Sequence, residues 1–282
     1  MCGIFGYVKG VKEVDEEALR GRVRRLFVAS QMRGRDATGY GYLGDNGLVI
    51  HKEPVPAKEF IPCLKDVPFG NIDVFLGHTR AATHGSTENS ENNHPIVSKD
   101  SGIALIHNGV ISSQKDLRTD GEVDSELILR LIELRLDVVE GIRFAEKNYT
   151  GTAAYAFIGT EFPNKVYLVR SGNPIWLAYV KEWDMVFFAS TKEMLRIAFS
   201  SYEFKFGYFA QRTEDYTLMY KEMADNSWLS IKKRTKKGIS IREGVTEREH
   251  KKKEPAIRFR HNIDLSDWVS KIRDHNKRGC KR

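Results

Sequence analysis

Residues 1–8 have the sequence MCGIFGYV and place a cysteine directly ahead of an apolar run. The run Ile4–Val8 is too short for a helix and predicts a buried strand. Position 2 carries a small side chain, which is compatible with removal of Met1. The stretch therefore predicts that Cys2 is held at the start of a core strand.

Removal of Met1 would leave Cys2 with a free α-amine and a thiol on the same residue. An α-amine has a pKa of about 7.7–8.0, so part of it is unprotonated at neutral pH. It can then take the thiol proton, directly or through a water, and so activate the sulfur as a nucleophile. Taken alone, the position also fits a small residue that is simply tolerated there.

Patterns further along the chain predict many strands and few helices. Apolar residues at helical spacing predict helices over Glu13–Met32 and Asp124–Glu140, and a glycine-rich turn at residues 33–41 follows the first. Asp45-Asn46-Gly47 predicts a hairpin turn. The predicted strands are Tyr40–Leu43, Leu48–His51, Val74–His78, Ile103–His107, Ala153–Ile158, Lys165–Arg170, Ile175–Val180 and Met185–Ala189. Strands in such clusters favour an α+β fold of stacked mixed sheets flanked by helices.

The composition excludes several classes of protein. Hydrophobic residues make up 41% of the 282 residues and charged residues 29%, which is unlike a disordered chain. No apolar run approaches the ~18 residues of a membrane span. The three cysteines, at positions 2, 63 and 280, do not form a disulfide framework, and residues 1–8 lack a basic leader. We therefore expect a cytoplasmic protein.

The positive charge is concentrated in the last 60 residues. Residues 223–282 contain 18 Lys and Arg against 8 Asp and Glu, whereas residues 1–222 contain 27 against 30. We expect a basic C-terminal extension at 223–282 that includes an amphipathic helix over Ser266–Arg278. Its apolar face would comprise Leu265, Trp268, Val269 and Ile272. Such an extension can dock on a partner, contact phosphates, or simply be solvated.

Residues 77–85, GHTRAATHG, combine an arginine at a strand end with a polar loop. The planar fork of Arg80 can bind a carboxylate, although a surface ion pair fits the residue equally well. Four histidines lie between positions 78 and 107, but none forms the short helical pair of common zinc motifs. We therefore expect no metal and no cofactor here. These histidines are His78, His84, His94 and His107.

Two further positions can contribute to a site. Asn108 and Gly109 follow a predicted strand, and a side-chain amide next to a backbone N–H can form an oxyanion hole. An ordinary Asn-Gly turn is the alternative. Asp124 lies at the start of the second predicted helix, where it can bind a cation or cap the helix.

The order of these motifs resembles one family, the class II glutamine amidotransferases. The resemblance is greatest to the glutaminase domain of glucosamine-6-phosphate synthase. It is strong through residue 126 and looser to about Glu222. The motifs that carry it are MCGIFG (1–6), RGRDATG (33–39), GHTRAATHG (77–85), NHP (93–95), HNG (107–109) and DSE (124–126).

The resemblance implies a four-layer αββα sandwich of the N-terminal nucleophile hydrolases. It implies that Cys2 attacks glutamine, forms a γ-glutamyl thioester and releases ammonia, with its own α-amine as general base. Asn108 and the backbone N–H of Gly109 would stabilise the oxyanion.

The resemblance also implies how glutamine is bound. Arg80 would bind its α-carboxylate and Asp124 its α-ammonium group. Thr83 and His84 would line the pocket on a mobile loop. Two residues would support the site without reacting: Arg33 and His94.

Two departures from the family pattern affect the expected function. Ala81 stands where the glucosamine synthases have a tryptophan, so the sequence does not predict how the passage of ammonia is gated. Nothing after Glu222 resembles a sugar-phosphate isomerase. We therefore expect a glutaminase domain at 1–222 that passes ammonia to a separate synthase partner. The alternatives are hydrolysis of another γ-glutamyl amide, or a non-catalytic scaffold whose basic extension contacts nucleic acid.

Overall fold

The computed structural model describes residues 1–83, 85–98, 100–113, 122–200, 203–205, 208–210, 216–234, 238–246 and 263–264. Five helices lie in these ranges: α1 (Glu16–Ser30), α2 (Ala57–Phe60), α3 (Ser125–Glu133), α4 (Val138–Asn148) and α5 (Lys192–Phe199). None of these helices is long and apolar enough to cross a bilayer.

The strands of the described residues form two large sheets and one small hairpin. They are β1 (Gly3–Lys9), β2 (Ala37–Gly44), β3 (Gly47–Glu53), β4 (Val74–Arg80), β5 (Ile96–Val97), β6 (Ile103–Ser113), β7 (Tyr149–Gly159), β8 (Lys165–Ser171), β9 (Trp176–Val180), β10 (Met185–Ala189), β11 (Glu203–Lys205), β12 (Tyr208–Ala210), β13 (Leu218–Glu222), β14 (Ser227–Arg234), β15 (Gly238–Val245) and β16 (Ile263–Asp264). The first sheet has the order β13-β9-β10-β1-β4-β2-β3, and the second has the order β16-β15-β14-β8-β7-β6-β5.

The strands within each sheet pair antiparallel, so the prediction of mixed sheets was wrong in this respect. Short hairpins account for pairs such as β2-β3, β7-β8, β9-β10 and β14-β15, because parallel neighbours need a long crossover. One such hairpin joins β2 and β3 at Asp45 and Asn46, as the sequence predicts.

Three apolar clusters show that the molecule has four layers. The first cluster packs α1, α2 and α5 on the outer face of the first sheet, with Phe5 edge-to-face on Phe27 at 4.7 Å between ring centroids. The second fills the space between the two sheets, and the third packs α3 and α4 on the outer face of the second sheet. The predicted αββα sandwich is therefore confirmed.

The second predicted helix is divided into two. α3 ends at Glu133, and α4 begins at Val138 after Asp137, whose side chain accepts hydrogen bonds from the backbone N–H groups of Val139 and Glu140. The helical spacing of apolar residues continues across this break, which is why one helix over Asp124–Glu140 was predicted. A capping residue within a stretch of helical apolar spacing starts a new helix.

Part of the predicted basic extension lies within the second sheet. β14 pairs with β8 and β15 pairs with β14, because Leu229, Ile231 and Ile241 complete the core between the sheets. The sheet therefore continues beyond the predicted boundary at residue 222. The predicted amphipathic helix over Ser266–Arg278 lies outside the described residues.

Candidate functional site

Strand alternation places three of the predicted site residues on the inner sides of the two sheets. Cys2 directly precedes β1, Arg80 ends β4, and Asn108 lies within β6. Successive side chains of a strand point to opposite faces, so residues two apart share a face. The residues that share a face with these three all lie in the central core: Ile4, Leu76 and Ile106.

The Cys2 thiol lies against the backbone of Ala81. The N–H of Ala81 is 3.4 Å from Sγ, and its carbonyl oxygen is 3.6 Å away. Arg33 fixes the same residue from the other side, since its Nε donates to the Cys2 carbonyl oxygen at 2.9 Å. The side chain of residue 81 is therefore not needed to hold the sulfur, because the backbone does so.

Burial raises the pKa of the Cys2 thiol. The hydrogen bond from Ala81 and the positive charges of the amino terminus and Arg80 lower this pKa, and Asp124 raises it. Because burial has the largest effect, the thiol keeps its proton at neutral pH. A nucleophilic reaction at this sulfur therefore requires a base beside it.

Arg80 is buried, with only 3% of its surface exposed, so the alternative of a surface ion pair is wrong. Its guanidinium donates to Asn93 Oδ1 at 2.7 Å and to the carbonyl oxygen of Gly85 at 3.0 Å. A Cβ on Gly34 would lie 2.3 Å from the Arg80 carbonyl carbon, so only glycine allows this approach. The RGRDATG turn thus packs closely on the end of β4.

Asn108 and Gly109 lie within β6, opposite Ala154 and Ala153, and do not form the turn that was the alternative. The Asn108 side chain is fully buried, and neither its Oδ1 nor its Nδ2 has a hydrogen-bond partner in the described part of the chain. Its backbone carbonyl accepts from Asn173 Nδ2 at 2.9 Å. An unpaired buried amide is costly, and such groups are typical of sites that a ligand completes.

Asp124 precedes α3 but does not cap it through its side chain. Its Oδ2 instead accepts the backbone N–H of Ile111 at 2.9 Å, which orients the carboxylate at the end of β6. The charge of Asp124 acts on both Cys2 and Arg80, so these three residues lie within electrostatic reach of one another. A cationic and an anionic side chain therefore both act on the pKa of one thiol.

The loop after β4 carries the other two predicted binding residues. Thr83 is exposed on this loop, and His84 lies outside the described residues. The Ala82 N–H donates to Asp36 Oδ2 at 2.7 Å, which ties the start of the loop to the RGRDATG turn.

Three buried histidines form a polar cluster next to Asn108. His94 Nε2 and His107 Nδ1 each lie 2.9 Å from the hydroxyl oxygen of Ser125, and His78 Nε2 donates to the His107 carbonyl oxygen at 3.0 Å. The rings of His78 and His94 stack at 4.2 Å. The cluster joins β4, β6 and the start of α3, so it fixes the backbone directly before Asn108.

Sequence reasoning missed the residues that hold the site residues in place. Asn93 and Ser125 lie inside motifs that were quoted, NHP and DSE, but no role was assigned to either. Asn173 lies in a loop without any motif, and only the fold brings its side chain to Asn108.

The histidine cluster predicts that the protein loses stability in mild acid. Burial lowers the pKa of His78 to about 3 and also lowers the pKa values of His94 and His107. In the unfolded chain these groups bind protons near pH ~6.5, so the unfolded state gains protons that the native state excludes. The free energy of unfolding should then fall below pH ~6.5, by about 1.4 kcal/mol per pH unit for each histidine that stays neutral.

Urea unfolding between pH 7 and 5 measures this slope. His78→Gln keeps an N–H donor for the His107 carbonyl and should reduce the slope by about 1.4 kcal/mol per pH unit. The control is His51→Gln, because the His51 side chain is 40% exposed. Equal slopes in all three proteins would contradict the interpretation.

Comparison with known proteins gives relatives for about two thirds of the chain. It is 31% identical over 186 residues to "Glutamine--fructose-6-phosphate aminotransferase [isomerizing]" of Aquifex aeolicus and 30% identical over 200 residues to the protein of the same name of Bacillus thuringiensis. These matches cover 62% and 66% of this chain and 30% and 32% of the relatives. The resemblance to the class II glutamine amidotransferases is confirmed. The chain spans about a third of the length of these relatives.

Solved structures share the fold over more of the chain. Glutamine phosphoribosylpyrophosphate amidotransferase from B. subtilis aligns with a TM-score of 0.60 and 16% identity, over 88% of this chain and 50% of that one. A structure described as the allosteric regulatory enzyme of purine biosynthesis aligns with a TM-score of 0.61 and 17% identity over the same shares. No protein-family model matches the chain.

Proposed function

We propose that this protein hydrolyses L-glutamine to glutamate and ammonia with Cys2 as the nucleophile. The observation that carries the proposal is the Asn108 side chain, which is fully buried with both polar atoms unpartnered in the described residues. It lies on the inner face of the second sheet, as Cys2 does on the first. A tetrahedral oxyanion would supply the partner that its N–H group lacks.

The proposed reaction begins once Met1 has been removed. The α-amine of Cys2 takes the thiol proton, and the sulfur attacks the side-chain carboxamide carbon of glutamine. Asn108 Nδ2 and the Gly109 N–H donate to the oxyanion. The C–N bond then breaks as the ammonium group of Cys2 returns its proton to the leaving nitrogen, and ammonia departs. Water attacks the thioester in the same way and releases glutamate.

The charges around the thiol suit the two ends of an amino acid. Arg80 would bind the α-carboxylate and Asp124 the α-ammonium group, since both already lie within electrostatic reach of Cys2. Thr83 and His84 would line the pocket, and Arg33 and His94 would support it. Any γ-glutamyl amide presents the same two groups, so competition between glutamine and γ-glutamyl conjugates decides between these substrates.

Replacing Arg80 with lysine should raise KM for glutamine by about 10–100-fold and change kcat less. Lysine keeps the charge but loses the planar fork that binds a carboxylate in two places. Steady-state ammonia release measures both constants. Arg24→Lys, on the outward side of α1, is the matched control and should leave KM unchanged. An unchanged KM in Arg80→Lys would remove this residue from the binding site.

We propose that a separate synthase receives the ammonia and that both proteins are cytoplasmic. The 282 residues contain no stretch that resembles a sugar-phosphate isomerase, and the matches cover only 30% and 32% of the curated relatives. Glutaminase activity of the Met1-free protein, measured with and without candidate synthases, tests the proposal. No activity under either condition would overturn it.

The basic extension is the proposed docking element for that partner. Contact with nucleic acid is the alternative. In that case the association constant for nucleic acid should fall steeply as the salt concentration rises. Because Ser227–Val245 contributes two strands to the second sheet, the test should truncate the chain after Thr246. Binding that survives this truncation, or that is indifferent to salt, would exclude the extension as a nucleic-acid contact.

A further inference from the structure

His51, Glu53 and Cys63 form a cluster of potential metal ligands outside the site described above. His51 Nε2 lies 2.8 Å from Glu53 Oε1, and Cys63 Sγ lies 3.4 Å from the same oxygen. The three ligand atoms all lie within 4.8 Å of one another, and no other group among the described residues meets this criterion. Each residue is half-buried, so an ion could enter from solvent.

The fold holds these side chains from two directions. His51 and Glu53 are two residues apart on β3, the edge strand of the first sheet, so they share one face. The His51 ring packs against Phe60 at 5.3 Å between ring centroids. Cys63 lies in the 3-10 turn Ile61–Leu64.

A buried arginine anchors that turn. The Arg20 guanidinium donates to the carbonyl oxygens of Leu64, Lys65 and Val67. Cys63 is therefore attached to the body of the molecule through its neighbour Leu64. The thiol is held opposite β3 and does not depend on a free loop for its position.

We propose that His51 Nε2, Glu53 Oε1 and Cys63 Sγ bind a zinc-class divalent cation, with water as the fourth ligand. Imidazole, carboxylate and thiolate are the ligand types of zinc, and a thiolate disfavours magnesium and calcium. The cation would connect the edge strand β3 to the turn that follows α2. This proposal does not depend on the proposed glutaminase function.

Two of the three ligand-to-ligand distances are close to those of a tetrahedral site. Ordinary zinc–ligand bond lengths give ligand-to-ligand distances of about 3.3 Å for nitrogen to oxygen and about 3.6 Å for sulfur to oxygen. The contacts of 2.8 and 3.4 Å need only small side-chain rotations to reach these values. Binding would remove the thiol proton and move the imidazole proton to Nδ1, so one proton per ion would be released to solvent.

Cobalt(II) titration of the full-length chain tests the site, because a thiolate–cobalt bond gives a charge-transfer band. The parent protein should carry Cys2→Ala and Cys280→Ser, which leaves Cys63 as its only thiol. We expect one equivalent of cobalt with a thiolate band, displacement by zinc, and an increase in Tm with zinc. Cys63→Ser should lose the band and the Tm increase, and His51→Gln should bind more weakly.

Two outcomes would overturn the proposal. Absence of a thiolate band at saturating cobalt would mean that the three side chains form only a hydrogen-bonded group. Equal zinc affinity in the parent and in Cys63→Ser would place the ion elsewhere. Circular dichroism of each variant checks that the fold is retained, so a lost band is not mistaken for unfolding.

Discussion

Cys2→Ala should reduce glutamine hydrolysis by at least about 1000-fold while the fold is retained. The substitution removes the atom that would form the thioester, and none of the other residues named in the site carries a thiol. The Cys2 side chain contacts the backbone of Ala81 and belongs to none of the three apolar clusters, so its loss should change Tm little. Ammonia release and thermal unfolding of the same preparations measure the two effects.

Cys63→Ala is the matched control, because it removes the other described thiol. It should retain the activity of the parent, since Cys63 lies behind the first sheet near α2. The mechanism would be contradicted if Cys2→Ala kept substantial activity, or if both substitutions reduced activity equally. Loss of activity together with loss of the native fold would instead assign Cys2 a structural role.

Asn108→Ala should lower kcat by about 100–1000-fold and change KM little. One oxyanion-hole donor contributes to the transition state by about this factor and contributes little to the bound substrate. The side chain has no hydrogen-bond partner among the described residues, so its removal breaks no bond there. The free energy of unfolding should therefore stay the same or rise, because a buried unpaired amide is removed.

This opposite response of activity and stability distinguishes catalysis from packing. Asn93→Ala is a useful comparison, because Asn93 is also buried but accepts a hydrogen bond from Arg80. That variant should lose stability and weaken glutamine binding. If Asn108→Ala unfolded readily and the remaining folded protein kept its kcat, Asn108 would be a structural residue.

Much of the fold could be predicted because it depends on local patterns. The strand after Cys2, the hairpin at Asp45 and Asn46, and α1 all follow from periodicity and turn residues over 20 positions or fewer. α1 begins where Asp15 accepts the backbone N–H of Ala18. The break between α3 and α4 was missed, because the apolar spacing continues past Glu133 while the N-cap at Asp137 starts a new helix.

The site was predictable only through its ordered motifs. Asn108 looks like a turn residue in isolation, and only its pairing opposite Ala154 places it inside a buried strand. Asn173 and the contact of Ser125 with two histidines depend on positions far apart in the chain. The extent of the second sheet was also missed. The basic residues Lys232, Lys233 and Arg234 follow directly after the short apolar part of β14, so the segment was assigned to a basic extension and not to a strand.

Intact mass after incubation with a diazo-ketone analogue of glutamine tests the central claim most directly. The proposed mechanism predicts a chain without Met1 that gains a single adduct, which excess glutamine blocks and which is absent in Cys2→Ala. Peptide mapping should place the adduct on Cys2 and not on Cys63. A chain that retains Met1 and gains no adduct, or gains one that glutamine does not block, would contradict it.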